Sequence, residues 1–302
     1  MKLVRRFIPV ALVLQLPLLV VGCGTINKVS VVCTGAAGGG DVRPGAVRSY
    51  AKFTDIKEDY RIQGMISTLI LPLMKNKSEA REALAQEIAA GLGVNSLVGL
   101  TSLNHPYLND PSSKYAPSCA ILVNTGAQPG ENQPARPKFI VCVLPVRVKT
   151  DKTKPASRLE PFITPELQFH LAQKGYYAYR CTASAVDVTG LAAEMELPAE
   201  LKEPLGVVPD FVLTCEIEQG GIEFGGGLKN LRMRVVLYDL QRKMNVWEDV
   251  QSMVGWSLLD LLIDPNLKWS VSEGEFRESV HTAVELAVKK LSLVSGYGEL
   301  KK

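Results

Sequence analysis

Phe211–Glu218 reads FVLTCEIE, Leu231–Leu240 reads LRMRVVLYDL, and Val246–Val254 reads VWEDVQSMV. In the first stretch Phe211, Leu213, Cys215 and Ile217 share one face, while Val212, Thr214, Glu216 and Glu218 share the other. A period of two is the mark of a strand buried on one side only. The second and third stretches alternate in the same way. A glycine-heavy loop over Gly220–Gly227 separates the first pair, and a turn at Gln241–Lys243 separates the second. Three alternating runs joined by short turns predict an antiparallel meander.

Working outward, Phe139–Val148 (FIVCVLPVRV) is almost unbrokenly apolar and predicts a strand buried on both faces. A polar connector, Lys149–Pro161, follows. Thr164-Pro165-Glu166 has the form of a helix start, with a cap, a proline at the first helical position and an acid in the first turn. Gly175 ends that helix and Tyr176–Cys181 returns as a strand. A helical region over Thr189–Leu205 breaks at Pro198. Ser272 and Glu275 form a capping box for a last helix with Phe276, Val280, Val284, Ala287 and Leu291 as its buried stripe. Residues 138–302 are thus expected to form a mixed sheet whose three-stranded meander is packed by helices.

Ahead of it, 46–126 predicts a smaller module. Tyr60–Leu73 reads as a strand, and Ser78 caps a helix running to Leu92 with Leu84, Ile88 and Leu92 on one face. Ser96–Leu103 and Cys119–Asn124 read as further strands, with a proline-bearing surface loop between them. Gly126–Pro137 (GAQPGENQPARP) carries three prolines and two glycines in twelve residues, so 127–137 is expected to be a linker. The fold class is α/β (α+β) in two small modules.

The N-terminus has Lys2, Arg5 and Arg6, then an apolar run from Phe7 to Val21 of 15 residues. A spanning helix needs roughly 20. A charged start, a short apolar middle and a small residue at its end predict a secretory signal over 1–22. Val20-Val21-Gly22-Cys23 resembles the lipobox of bacterial lipoproteins. That resemblance implies cleavage before Cys23, acylation of Cys23 by palmitate or a similar chain, and attachment to a membrane. Residues 23–45, with the small run Gly35–Gly40, are expected to form a flexible tether. Gly24 is not the Asp that, in enteric bacteria, signals inner-membrane retention. The resemblance therefore implies an outer-membrane protein facing the periplasm.

Lys plus Arg is 34 and Asp plus Glu is 31, but three of the basic residues precede Cys23 and no acidic residue does. The remainder is balanced and offers no electrostatic footprint for nucleic acid. Six cysteines occur without a CxxC pair, and Cys142, Cys181 and Cys215 sit in apolar runs, which favours buried thiols over a disulfide framework. The three histidines, His105, His170 and His281, are far apart in the chain. No zinc-protease, nucleophile-elbow or phosphate-loop motif is present. The expectation is therefore no catalytic residue, no cofactor and no stoichiometric metal. One apolar strip, Trp256–Ile263, is too short to span a membrane. Trp256, Leu258, Leu259, Leu262 and Ile263 form either a docking surface or core packing between the meander and the last helix.

The second module resembles a known family. Leu144-Pro145 at the end of its first strand, Gly175-Tyr176 after the helix, Asp210-Phe211-Val212-Leu213, Asp239-Leu240 and Val246-Trp247 are similar to the fold shared by the curli-secretion lipoprotein and the penicillin-binding-protein activator lipoproteins. The cover is about 139–291. This resemblance implies a non-enzymatic module that binds an envelope protein or copies of itself, in envelope assembly, cell-wall synthesis or secretion. The alternative expectation is a periplasm-facing hydrolase or small-ligand-binding lipoprotein.

Overall fold

The computed structural model describes residues 28–33, 42–70, 77–103, 116–126, 136–149, 160–181, 199–202, 204–220, 230–254, 273–294 and 297–299. Cys23 and the strip Trp256–Ile263 lie outside the described residues. Among these residues no helix is long and apolar enough to cross a membrane. The chain divides into two compact units. One comprises Met1–Ser102, Lys114–Pro137 and Val294–Lys302, and the other Leu103–Ser113 and Lys138–Leu293.

The first unit holds β1 (Lys28–Cys33), β2 (Arg48–Tyr50), β3 (Tyr60–Ile70), α1 (Lys77–Gly91), β4 (Ser96–Ser102) and β5 (Ala116–Thr125). β1, β3, β5 and β4 run antiparallel in that spatial order, and β2 lies parallel to β4. Leu84, Ala85, Ile88 and Ala89 of α1 form one buried cluster with Val31, Ile66, Leu97 and Leu122 of the sheet. Fully burying each Leu or Ile there contributes about 2 kcal/mol. Val32, Met65, Val98 and Ile121, on the opposite face, are buried as well. α1 ends where Gly93 takes φ 68°, with Val94 N donating to Ala89 O at 2.8 Å and Gly93 N to Ala90 O at 2.9 Å. The left-handed glycine lets the last carbonyls find donors without steric cost.

The second unit holds β6 (Ile140–Val143), β7 (Arg147–Val148), α2 (Glu160–Ala172), β8 (Tyr177–Arg180), α3 (Ala199–Lys202), β9 (Phe211–Gly220), β10 (Asn230–Asp239), β11 (Met244–Val254) and α4 (Glu273–Lys289). Its sheet order is β11-β10-β9-β6-β8, with β7 beside β9. β6 is parallel to β8 and β9, while β9, β10 and β11 form the antiparallel meander. The fold is the mixed α+β arrangement the alternation implies, with helices packed on the meander. Leu213, Cys215, Ile217, Met233, Val235 and Leu237 are buried. The other face carries charge: Glu216 and Glu218 pair in register with Arg234 and Arg232, and Arg234 Nε lies 2.8 Å from Glu248 Oε1. Exposed pairs of this kind add little each, but they suit only one register, because a slip of one residue would bury them.

Three features of the strands depart from the sequence expectation. The single strand Phe139–Val148 is broken: Pro145 has no N–H to give, and β6 and β7 pair separately with β9. Lys28–Cys33, expected within the tether, is a strand whose Val31 and Val32 are buried. The last strand, β12 (Tyr297–Glu299), returns to the first sheet, antiparallel to β1, rather than belonging to the second unit. A β-branched run such as Val29, Val31 and Val32 fits a pleated, half-buried surface better than a linker.

Candidate functional site

α2 starts one turn before the expected cap. Ile163, Leu167 and Leu171 are fully buried, and their burial continues the helix backward from Thr164 to Glu160. Thr164 is then an interior residue, 3% exposed, whose Oγ1 has no hydrogen-bond partner among the described residues. The helix ends at Gly175, φ 87°, with Tyr176 N donating to Leu171 O at 3.0 Å and Gly175 N to Ala172 O at 3.1 Å. This is the closure seen at the end of α1. Gln168 Nε2 donates to Ala178 O at 3.1 Å, fixing α2 to β8. Lys174 Nζ donates to Lys289 O at 2.9 Å and Tyr176 Oη to Ser292 O at 3.3 Å, fixing it to the end of α4.

Within this frame α2 and α4 bring together residues the sequence keeps apart. Glu166 is 1% exposed, and a buried carboxylate requires a partner. Its Oε2 lies 2.9 Å from His281 Nδ1 on α4 and 3.5 Å from His170 Nε2 one turn along α2. The two imidazoles face each other with centroids 5.2 Å apart and planes at 40°. His170 also meets the Phe169 ring edge-on at 5.2 Å. The far nitrogen of His281, Nε2, is 3.9 Å from Glu285 Oε2. Glu166, His170 and His281 have one donor atom each within 4.8 Å of the others.

The expectation of isolated histidines is therefore corrected for two of the three; His105 lies outside the described residues. Glu166 and His170 were legible as an i, i+4 pair on one helix face. The approach of His281, 115 residues away, was not legible, because it depends on the packing of two helices.

The residues that carry the family resemblance hold architecture instead. Asp210 Oδ2 accepts hydrogen bonds from Phe139 N and Ile140 N, both at 3.0 Å, joining the start of β6 to the start of β9. Asp239 Oδ1 accepts from Gln241 N and Arg242 N, both at 2.9 Å, and so forms the turn between β10 and β11. Gly175-Tyr176 closes α2, and Pro145 breaks the first strand. The thiols are equally structural. Cys119, Cys142, Cys181 and Cys215 are buried. Burial pushes Cys119 and Cys215 up to about 12, which leaves almost no thiolate for chemistry at neutral pH.

Neither a protein-family model nor a curated protein sequence matches the chain. Solved structures do. A dodecameric PelC variant from Paraburkholderia phytofirmans is 14% identical, with 52% of this chain and 92% of that one covered at TM-score 0.31. Lipoprotein GNA1162 from Neisseria meningitidis is 18% identical over 44% of this chain and 97% of that one, at TM-score 0.22. The LpoB C-terminal domain from Escherichia coli is 12% identical over 39% and 84%, at TM-score 0.23. Likeness at this level concerns the path of the chain alone.

Proposed function

We propose that the protein is a lipid-anchored component of the bacterial cell envelope that acts through protein contacts rather than catalysis. The observation that carries this reading is the stretch Val20-Val21-Gly22-Cys23, set after a charged and apolar start and ahead of a globular α+β body. Acylation at Cys23 would hold that body at a membrane surface, the outer membrane facing the periplasm being the favoured location. Its role is then to engage an envelope protein or a second copy of itself, in envelope assembly, cell-wall synthesis or secretion.

Two further observations support the non-catalytic part. The motif residues Asp210 and Asp239 are engaged in backbone geometry, and the thiols of Cys119, Cys142, Cys181 and Cys215 are buried. Crosslinking of the tagged full chain in intact cells tests the reading. One dominant adduct, with an envelope protein or with itself, is expected, and it should weaken when Cys23→Ala detaches the body from the membrane. An adduct-free chain that, once purified in detergent, turns over ester or peptide reporters would contradict it.

The second reading, a periplasm-facing hydrolase or small-ligand binder, has one observation in its favour: the convergence of Glu166, His170 and His281.

A further inference from the structure

We propose that Glu166, His170 and His281 form a binding site for a single divalent transition-metal ion of the zinc class. The inference is independent of the anchoring and partner contacts above. It starts from donor chemistry. One carboxylate oxygen and two imidazole nitrogens from two helices match the three-ligand sets that zinc accepts, with water in the fourth position.

Geometry supports it. Donors 2.0–2.1 Å from a tetrahedral ion stand about 3.4 Å apart. Glu166 Oε2 and His170 Nε2 are already at 3.5 Å. His281 Nδ1, at 2.9 Å from the same oxygen, needs an outward shift of about half an ångström to reach that separation. All three donors already fall within 4.8 Å. Coordination through Nδ1 would leave His281 Nε2 facing Glu285 Oε2 at 3.9 Å. A carboxylate hydrogen-bonded behind a ligating histidine is the usual outer support of such sites, and Glu285 would have to close from 3.9 Å to hydrogen-bond distance to provide it.

Both rings turn a nitrogen toward the same carboxylate oxygen, and their centroids stand 5.2 Å apart. The side chains of His170 and His281 are 12% and 21% exposed, while Glu166 and the Nε2 atom of His170 are buried.

The test uses the full chain, purified in detergent, stripped of metal and titrated with Co²⁺ and Zn²⁺. One equivalent of Co²⁺ should bind with the visible absorption of a four-coordinate site, and Zn²⁺ should displace it. X-ray absorption on the wild-type zinc form should show two imidazoles and no sulfur at about 2.3 Å. His170→Gln and His281→Gln should each weaken binding at least tenfold, and His105→Gln should leave it unchanged. If a His→Gln variant fails to fold, the wild-type absorption experiment decides alone. Sulfur scattering, no binding at micromolar metal, or wild-type affinity in folded His170→Gln and His281→Gln would each overturn the proposal.

Discussion

Lys138 and Asp239, 101 residues apart in the chain, meet with Lys138 Nζ 2.8 Å from Asp239 Oδ2. The carboxylate is 2% exposed. Burial alone would raise its pKa, but the Lys138 hydrogen bond and charge and the backbone amides of Arg242 and Gln241 outweigh burial and hold the group below its ordinary range. The ion pair ties the segment leading into β6 to the end of β10, so it fixes one end of the second sheet.

A pH dependence follows. The folded pKa lies below the unfolded one, so the stabilisation is fully present above about pH 4 and is lost as the pH falls through the folded value. Urea midpoints measured between pH 7 and pH 2 should fall for the wild type below about pH 4, and less steeply for Asp239→Asn. At neutral pH, Lys138→Met should cost about 1–2 kcal/mol, less than a fully buried pair because Lys138 is part-exposed. Parallel pH curves for wild type and Asp239→Asn would contradict this account.

Much of this fold is legible in the sequence, and the exceptions have physical causes. The first two strands of the meander are readable because each faces a core on one side and water on the other, which writes charge at Glu216 and Arg234 opposite apolar residues; the alternation of the third marks no core face, since none of the β11 residues with described burial is buried and Val246 and Val250 are exposed beside Glu248. The α1 face is readable because Leu84, Ile88 and Leu92 repeat at helical spacing. The start of α2 is not, because Thr164-Pro165 mimics a helix start while Ile163, buried before it, holds an earlier turn. The strands β1 and β12 are short and lie far apart in the chain, so their pairing leaves no local trace. The cluster of Glu166, His170 and His281 is half legible, as Glu166 and His170, and needs the approach of α4 to be complete.

Thr68 Oγ1 and Ser118 Oγ, on adjacent strands of the first sheet, are 2.7 Å apart and buried. Thr68→Val leaves the Ser118 hydroxyl without its partner and should destabilise by about 1–3 kcal/mol. The double variant Thr68→Val/Ser118→Ala removes the stranded group and should be more stable than Thr68→Val alone. Melting curves of the two single variants and the double decide this; losses that simply add would show that the pair is not coupled.

Trp256–Ile263 lies outside the described residues, and its sequence favours core packing over a docking strip. Leu259→Asp should then lower the melting temperature sharply, because an unpaired carboxylate cannot be buried without unfolding its surroundings. A melting curve that overlays the wild type, together with loss of the crosslinked adduct, would instead make Trp256, Leu258, Leu259, Leu262 and Ile263 the contact surface.

The envelope assignment turns on Cys23. Mass spectrometry of the protein extracted from membranes, after growth with a palmitate analogue, reads both its first residue and any acyl group. A mature chain that begins at acyl-modified Cys23, with Cys23→Ala accumulating as an unlabelled, uncut precursor, is the predicted result. Wild-type labelling of the Cys23→Ala chain, or a mature N-terminus elsewhere with Cys23 unmodified, would contradict the account.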